Sequence, residues 1–217
     1  METNLSISRR NLVHHIAIST LALGLSQLTG CKAETGKDND QVKMKPLFPF
    51  YLAPQAPLQP GPGGIDIRTW VKSSKTNQQF SCVETAVAAR HMGPAPHVHQ
   101  DLDELMLVLE GTATVIVNGK VEEIQSGGWH FRPRQIEHTF WNGSEKPLRF
   151  IDMYFHQNFE DFLEELFHRI FPEMIKSHLT PADPQIAKQL LDLDKRFGVT
   201  TFHEKRQPLI EEYGLIG

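Results

Sequence analysis

Between residues 65 and 155 apolar and polar positions exchange in short runs with a side-chain period of two, which is the signature of half-buried strands. Runs at 65–71, 79–89, 103–110, 112–117, 120–124, 128–132, 138–141 and 148–155 are rich in β-branched and aromatic residues and are separated by turn signals. Asn118-Gly119 is the clearest of these, because both central residues of a tight hairpin turn need positive φ. So many short strands predict a β-sandwich or jelly-roll barrel. The period then changes. Phe159, Phe162, Leu163, Leu166, Phe167, Ile170 and Phe171 recur at helical spacing and form one apolar stripe. Pro172 is expected to end that helix, and a second helix is expected over 184–197, stopped by Gly198.

The N-terminal third does not read as part of the barrel. Ser8-Arg9-Arg10-Asn11-Leu12 precedes a diluted apolar run from Leu12 to Leu28, which closes on Leu28-Thr29-Gly30-Cys31. That run is too short and too polar for a stable membrane span, which needs roughly 20 apolar residues. The arginine pair resembles a twin-arginine export signal, and the closing quartet resembles a bacterial lipobox. The resemblance implies cleavage before Cys31, lipid attachment to its sulfur, and a membrane-anchored protein facing the periplasm or the cell exterior. Residues 32–45 are polar and charged, as a flexible tether would be. Residues 46–64 are rich in proline and glycine among apolar side chains. They read as an extended arm that packs on the barrel or on a second subunit. A homodimer through residues 48–58 is expected.

Charge and cysteine content narrow the picture further. The formal net charge is −4, which gives no electrostatic case for nucleic acid. There are two cysteines. With Cys31 lipidated, Cys82 has no partner within the chain, so disulfides do not staple this fold.

The chemistry lies in two stretches. In the first, Gly93-Pro-Ala-Pro-His97-Val-His99-Gln-Asp-Leu-Asp-Glu104, the two histidines are two residues apart and point to one side of a strand. A carboxylate from Glu104 on the next strand could join them. In the second, which runs from Gly127 to Asn142, His138 offers a third imidazole. Neutral imidazoles with one carboxylate suit a single divalent transition metal, Fe, Mn, Ni, Co, Cu or Zn, and leave positions open for other ligands. His91, His130, His156, His168, His178 and His203 are left without a role in the site.

These stretches resemble the two motifs of the cupin superfamily. His97-x-His99, four residues, Glu104, six residues and Gly111 match the first; Gly127, Pro133, His138 and Asn142 match the second at the family's spacing. Gln135 stands where the second motif has an inner glycine. The resemblance implies a mainly β cupin fold, a double-stranded β-helix or jelly-roll barrel, here with C-terminal helices. The expected layout is an export signal over 1–30, a tether over 31–45, arm and barrel over 46–155, and a helical extension over 156–217. The chain is also similar to single-domain cupins of the quercetin-dioxygenase-like branch, through Gly93 to His99, Asp103-Glu104-Leu105 and, loosely, the tail.

Strand alternation puts Met106 and Val108 on the side of Glu104, and Phe140 and Asn142 on the side of His138. These four are the expected lining of a mostly apolar small-molecule pocket, with Phe131, Phe150 and Tyr154 as further candidates. Arg132 and Arg134 are expected to face solvent. A dioxygenase-like oxidoreductase acting on a small enolic or aromatic substrate follows, with Glu104 serving both as ligand and as base. The alternative is a non-catalytic or non-redox binding barrel in which the metal holds a ligand or stabilises the fold.

Overall fold

The computed structural model describes residues 46–217. The export signal, the tether and Cys31 therefore lie outside the described residues. Among the described residues no helix is long and apolar enough to cross a membrane.

Two antiparallel sheets face each other. The first is ordered β1-β2-β9-β4-β7 and the second β10-β3-β8-β5-β6. Strands of the first sheet are β1 (Ile65–Val71), β2 (Phe80–Val87), β4 (Asp103–Glu110), β7 (Trp129–Arg132) and β9 (Leu148–Phe155). Those of the second are β3 (His97–His99), β5 (Thr112–Val117), β6 (Lys120–Gln125), β8 (His138–Trp141) and β10 (Val199–Thr201). This is the jelly-roll expected from the alternation. Met106, Val108, Ala113, Val115, Leu148 and Phe150 project from both sheets into a shared core. Each large aliphatic side chain fully buried there contributes roughly 1.5–3 kcal/mol over leaving it in water.

The helices are α1 (Phe159–Glu165), α2 (Phe171–Ser177), α3 (Pro184–Phe197) and α4 (Arg206–Tyr213). Pro172 does not end the first helix, as expected from sequence. A π-helical turn at Leu166–Ile170 follows α1, and Pro172 sits in the first turn of α2. A proline is tolerated there because its missing N–H would have no partner within that helix. The apolar stripe packs Phe159, Phe162 and Ile170 against Ile186, Leu193 and Phe197 of α3 over one end of the barrel.

The tail is not purely helical. Past the α3 cap at Gly198 (φ 62°), β10 joins the second sheet beside β3, pairing Val199 with His99 and Thr201 with His97. Backbone bonds from Gln100 N–H to Gly198 O and from Phe202 N–H to Pro96 O extend the ladder at both ends. The histidine strand is thus an inner strand, fixed on both edges. Sequence reasoning placed His97 and His99 on a strand through their two-residue spacing but missed β10, because three residues are too few to show a period.

Gln135 keeps the turn that the motif's glycine would supply. Its φ is 62°, in the left-handed region, and its N–H donates to His99 O at 2.7 Å. A side chain in that region costs roughly 1–2 kcal/mol. Gln135→Gly is therefore expected to raise the urea midpoint of the protein by the equivalent of up to ~1 kcal/mol, after the extra chain entropy of glycine is subtracted. An unchanged or lower midpoint would show that this turn is not strained.

Candidate metal centre

The two sheets contribute different ligands to one point. His97 and His99 alternate inward on β3, and His97 pairs in register with His138 on the adjacent β8. Glu104 enters from β4 of the opposite sheet. The ligand atoms of His97, His99, Glu104 and His138 all lie within 4.8 Å of one another, and all four residues are buried. Sequence spacing named all four.

The local backbone prepares the rings. His97 Nδ1 lies 2.9 Å from Ala95 O, and His138 Nδ1 lies 2.9 Å from Ile136 O. A carbonyl can only accept, so each Nδ1 carries the proton and each Nε2 presents a lone pair. Neither nitrogen of His99 has a hydrogen-bond partner among the described residues, and neither does His138 Nε2. His138 Nε2 nevertheless lies 2.9 Å from Glu104 Oε2, and His99 Nε2 lies 3.4 Å from Glu104 Oε1. The atoms are close without being aligned as donor and acceptor. They aim at a common point between them, as ligands of one ion do. Buried nitrogens without partners are costly in any other setting. The donor set fits a divalent transition metal.

Electrostatics support the same reading. Burial, reinforced by the neighbouring His138 and His99, holds His97 well below its ordinary range, so the ring is neutral, as a ligand must be. Burial pushes the Glu104 carboxyl upward. The charge of Arg132 leads the influences that outweigh it, and the group sits well below the usual carboxylate range.

Arg132 corrects the sequence reading. It is 1% exposed and points into the barrel. Its Nε donates to Glu104 Oε2 at 2.8 Å and its Nη2 lies 2.7 Å from Asp152 Oδ1. Asp152 in turn accepts from Tyr154 Oη at 3.4 Å. Burial raises the Asp152 carboxyl to about 6, with Arg132 only partly opposing the shift. Sequence reasoning named neither Arg132 nor Asp152 as part of the site. The available signal was phase: Asp152 lies between Phe150 and Tyr154 in the inward register of β9, and a buried aspartate calls for a cation. Arg134 does stay near the surface, where its two side-chain hydrogen bonds to Asp103 draw that carboxyl down to about 2.

Of the expected pocket residues, Met106, Val108 and Phe140 belong to the same inner cluster, with Phe140 edge-on to Phe150 at 5.0 Å. Asn142 does not present its amide to them. Its Nδ2 donates to Val87 O, Ala88 O and Lys146 O, and its Oδ1 accepts from Ser144, so it ties loops at the far end of β8. Phe131 lies on the outer face, 55% exposed, whereas Phe150 and Tyr154 are inside. The barrel end above the histidines is covered. Phe159 meets His99 edge-on at 4.8 Å and stacks on Phe162 at 4.6 Å. The groove between Gln100, Gln135 and Lys195 lies on the outward side of β3 and includes none of the four ligands.

A barrel of two antiparallel sheets with three histidines and one glutamate turned inward defines a class. Residues 84–154 match the family model of the cupin domain, a stretch that contains both motifs and nothing of the arm or the C-terminal helices. Among solved structures, KdgF from Halomonas sp. aligns with a TM-score of 0.41 and 18% identity, over 45% of this chain and 84% of its own. The polyketide cyclase RemF from Streptomyces resistomycificus aligns at 0.39 and 25% identity, over 46% and 70%. The cupin domain of Schizosaccharomyces pombe Cnp3 gives 0.39 and 15%, over 45% and 68%. No protein of curated function matches the chain.

The buried, neutral His97 makes stability depend on pH in a defined direction. Its folded pKa lies below the unfolded value of 6.5, so its contribution is complete above pH 6.5 and declines as pH falls below it. Asp152 acts the other way. Its raised pKa adds stability only as pH falls from about 6 toward 3.8. The urea midpoint of the metal-free protein is therefore expected to begin falling near pH 6.5, by at most ~1.4 kcal/mol per pH unit for this one proton. Asp152→Asn removes the offset and steepens the fall below pH 6. A midpoint that rises on acidification through this window would contradict the assignment.

Proposed function

We propose that this protein is a metal-dependent oxidoreductase of the dioxygenase type, acting on a small enolic or aromatic molecule. The observation that carries the reading is the convergence of three imidazoles and one carboxylate at one point inside the barrel. A bound redox metal supplies electron transfer between an organic substrate and dioxygen. The protein supplies the rest. Met106, Val108 and Phe140 favour a flat, apolar substrate body. Burial keeps water from the reacting groups.

Glu104 keeps the role of ligand, but a second role as base is opposed by the charge of Arg132 on the same carboxylate. A carboxylate held this low is a weak proton acceptor.

One observation favours a second reading, in which the metal holds a ligand or braces the fold. All four ligands are buried, with Phe159 set against His99. Elemental analysis of the native protein separates the two, followed by dioxygen-uptake measurements with catecholic and enolic compounds. About one Fe, Mn, Ni, Co or Cu per chain with uptake is expected. Zinc alone, with no uptake on any such compound, would remove the oxidoreductase reading.

The setting proposed for this activity is outside the cytoplasm, with the chain held to a membrane through Cys31. The support is the order of Arg9-Arg10, the apolar run and Leu28-Thr29-Gly30-Cys31.

The homodimer is likewise a proposal, supported by two apolar surfaces left exposed among the described residues. Phe48 and Tyr51 of the arm are 80% and 83% exposed. The arm is moored by Arg68 to Gln55 and Ala56. On the outer face of the first sheet, Met153, Leu105 and Phe131 form one register row and Ile151, Leu107 and Trp129 the next. Light scattering is expected to give twice the chain mass, and Phe48→Ser with Tyr51→Ser to return it to one. A monomeric wild type rules the pairing out.

A further inference from the structure

We infer that Arg132 is a positioning residue, which fixes the orientation of the Glu104 carboxylate and thereby the affinity of the centre for its ion. The inference rests on the metal-binding reading above.

Register brings the parts together. Arg132 on β7 and Tyr154 on β9 flank Glu104 on β4 in one row, while Asp152 flanks Met106 in the next. All of these side chains turn into the barrel. The guanidinium is planar and rigid, and it is held between two carboxylates, by a hydrogen bond to Glu104 and an ion pair to Asp152. Nε donates to Glu104 Oε2 at 2.8 Å, and Nη2 is held by Asp152 Oδ1 at 2.7 Å. Nη1 rests against Met106 Sδ at 3.9 Å, and the guanidinium carbon lies 6.0 Å from the centre of the Phe140 ring. The plane of the group is thus determined on every side.

What this fixes is a rotation. A glutamate side chain ends in a soft torsion, and its carboxylate turns readily unless something stops it. Here Oε2 is stopped by Arg132 while lying 2.9 Å from His138 Nε2, and Oε1 is left 3.4 Å from His99 Nε2. Both oxygens are therefore directed toward the histidine nitrogens. Without Arg132 the carboxylate would have to be held by the histidines alone, through contacts that are not hydrogen bonds. Asp152 acts at one remove, by keeping Arg132 from swinging toward solvent.

The simpler role for Arg132 is to neutralise Asp152 and hold β7 to β9. That role predicts a loss of stability with no change in how an ion is bound, so the two can be separated. The test uses the full chain, stripped of metal and titrated with Mn2+ and with Co2+. The visible spectrum of Co2+ reports the arrangement of its ligands, and the melting temperature of the metal-free protein is recorded alongside. Arg132→Met is expected to weaken Co2+ binding by roughly 10–100-fold, the usual cost of losing a partner that orients a ligand, and to alter the spectrum. Arg132→Lys keeps the charge without the fork and is expected to recover part of the affinity. Asp152→Asn leaves the bond to Glu104 and is expected to cost less than Arg132→Met. Arg132→Met buries two carboxylates without their cation and can fail to fold; Arg132→Lys and Asp152→Asn then carry the decision. Wild-type Co2+ affinity and spectrum in every variant that folds would overturn the proposal, even where the metal-free melting temperature falls. A wild-type chain that takes up neither ion overturns the metal reading itself, and this inference with it.

Discussion

A carboxylate enclosed among three imidazoles inside a closed barrel is a demanding thing to fold around. Glu104 is 4% exposed, and its ionised form has lost nearly all contact with water. In isolation that loss would neutralise the group rather than leave it charged. The charge survives because Arg132 donates to it from the same sheet, and Arg132 survives burial because Asp152 sits on its other side. The three groups form a chain of alternating sign, negative, positive, negative, and removing any one strands its neighbour. Such a chain is weak evidence for stability, since desolvation offsets much of the attraction. Its value lies in direction: it leaves a carboxylate that is charged and aimed.

The topology explains why this arrangement can coexist with a well-packed barrel. The polar chain occupies the inward positions at one end of β4, β7 and β9, while Met106, Val108 and Phe150 fill the inward positions beyond it. The imidazoles come from the opposite sheet, on β3 and β8. The ion site therefore spans the two sheets, so an ion there would join them. The C-terminal segment completes the enclosure in two ways. β10 pairs with the outer edge of the histidine strand, and Phe159 closes over His99. A tail that looks like a helical appendage in the sequence is, in the structure, a wall and a roof of the site.

The legibility of these features in the sequence follows the strength of their periodic signal. His97, His99, Glu104 and His138 could be named because histidines at a two-residue spacing and fixed distances between motifs are rare coincidences. The long strands could be named because alternation shows within about six residues. β10, at three residues, shows none. Asn142 was in phase with His138, but phase says which way a side chain leaves the strand and nothing about loops waiting at the strand's end. Arg132 was assigned to solvent because charged residues beside a proline usually sit at a turn. Its true environment depended on facing Glu104 across β4, a pairing between residues far apart in the chain. Pro172 was read as a stop because a proline inside a helix removes a hydrogen bond. The π-helical turn just before it shifts the helix phase, so that the proline falls in a first turn instead.

The same electrostatic chain constrains the chemistry. A centre with one carboxylate, already compensated by an arginine and an aspartate, would hold a net charge of one positive unit once a divalent ion joined it. In an enclosed, poorly polarisable interior that charge seeks a single negative partner. A neutral substrate would leave it uncompensated, and a dianion would overshoot it. A monoanionic enolate or phenolate balances it, and the apolar side chains of Met106, Val108 and Phe140 suit the remainder of such a molecule. Glu104 then need not act as a base, because a substrate that binds as its anion has no proton left to remove. Phe159 and its neighbours on α1 and α3 form the cover over His99, and the π-helical turn directly after α1 is where the backbone of that cover departs from regular helix.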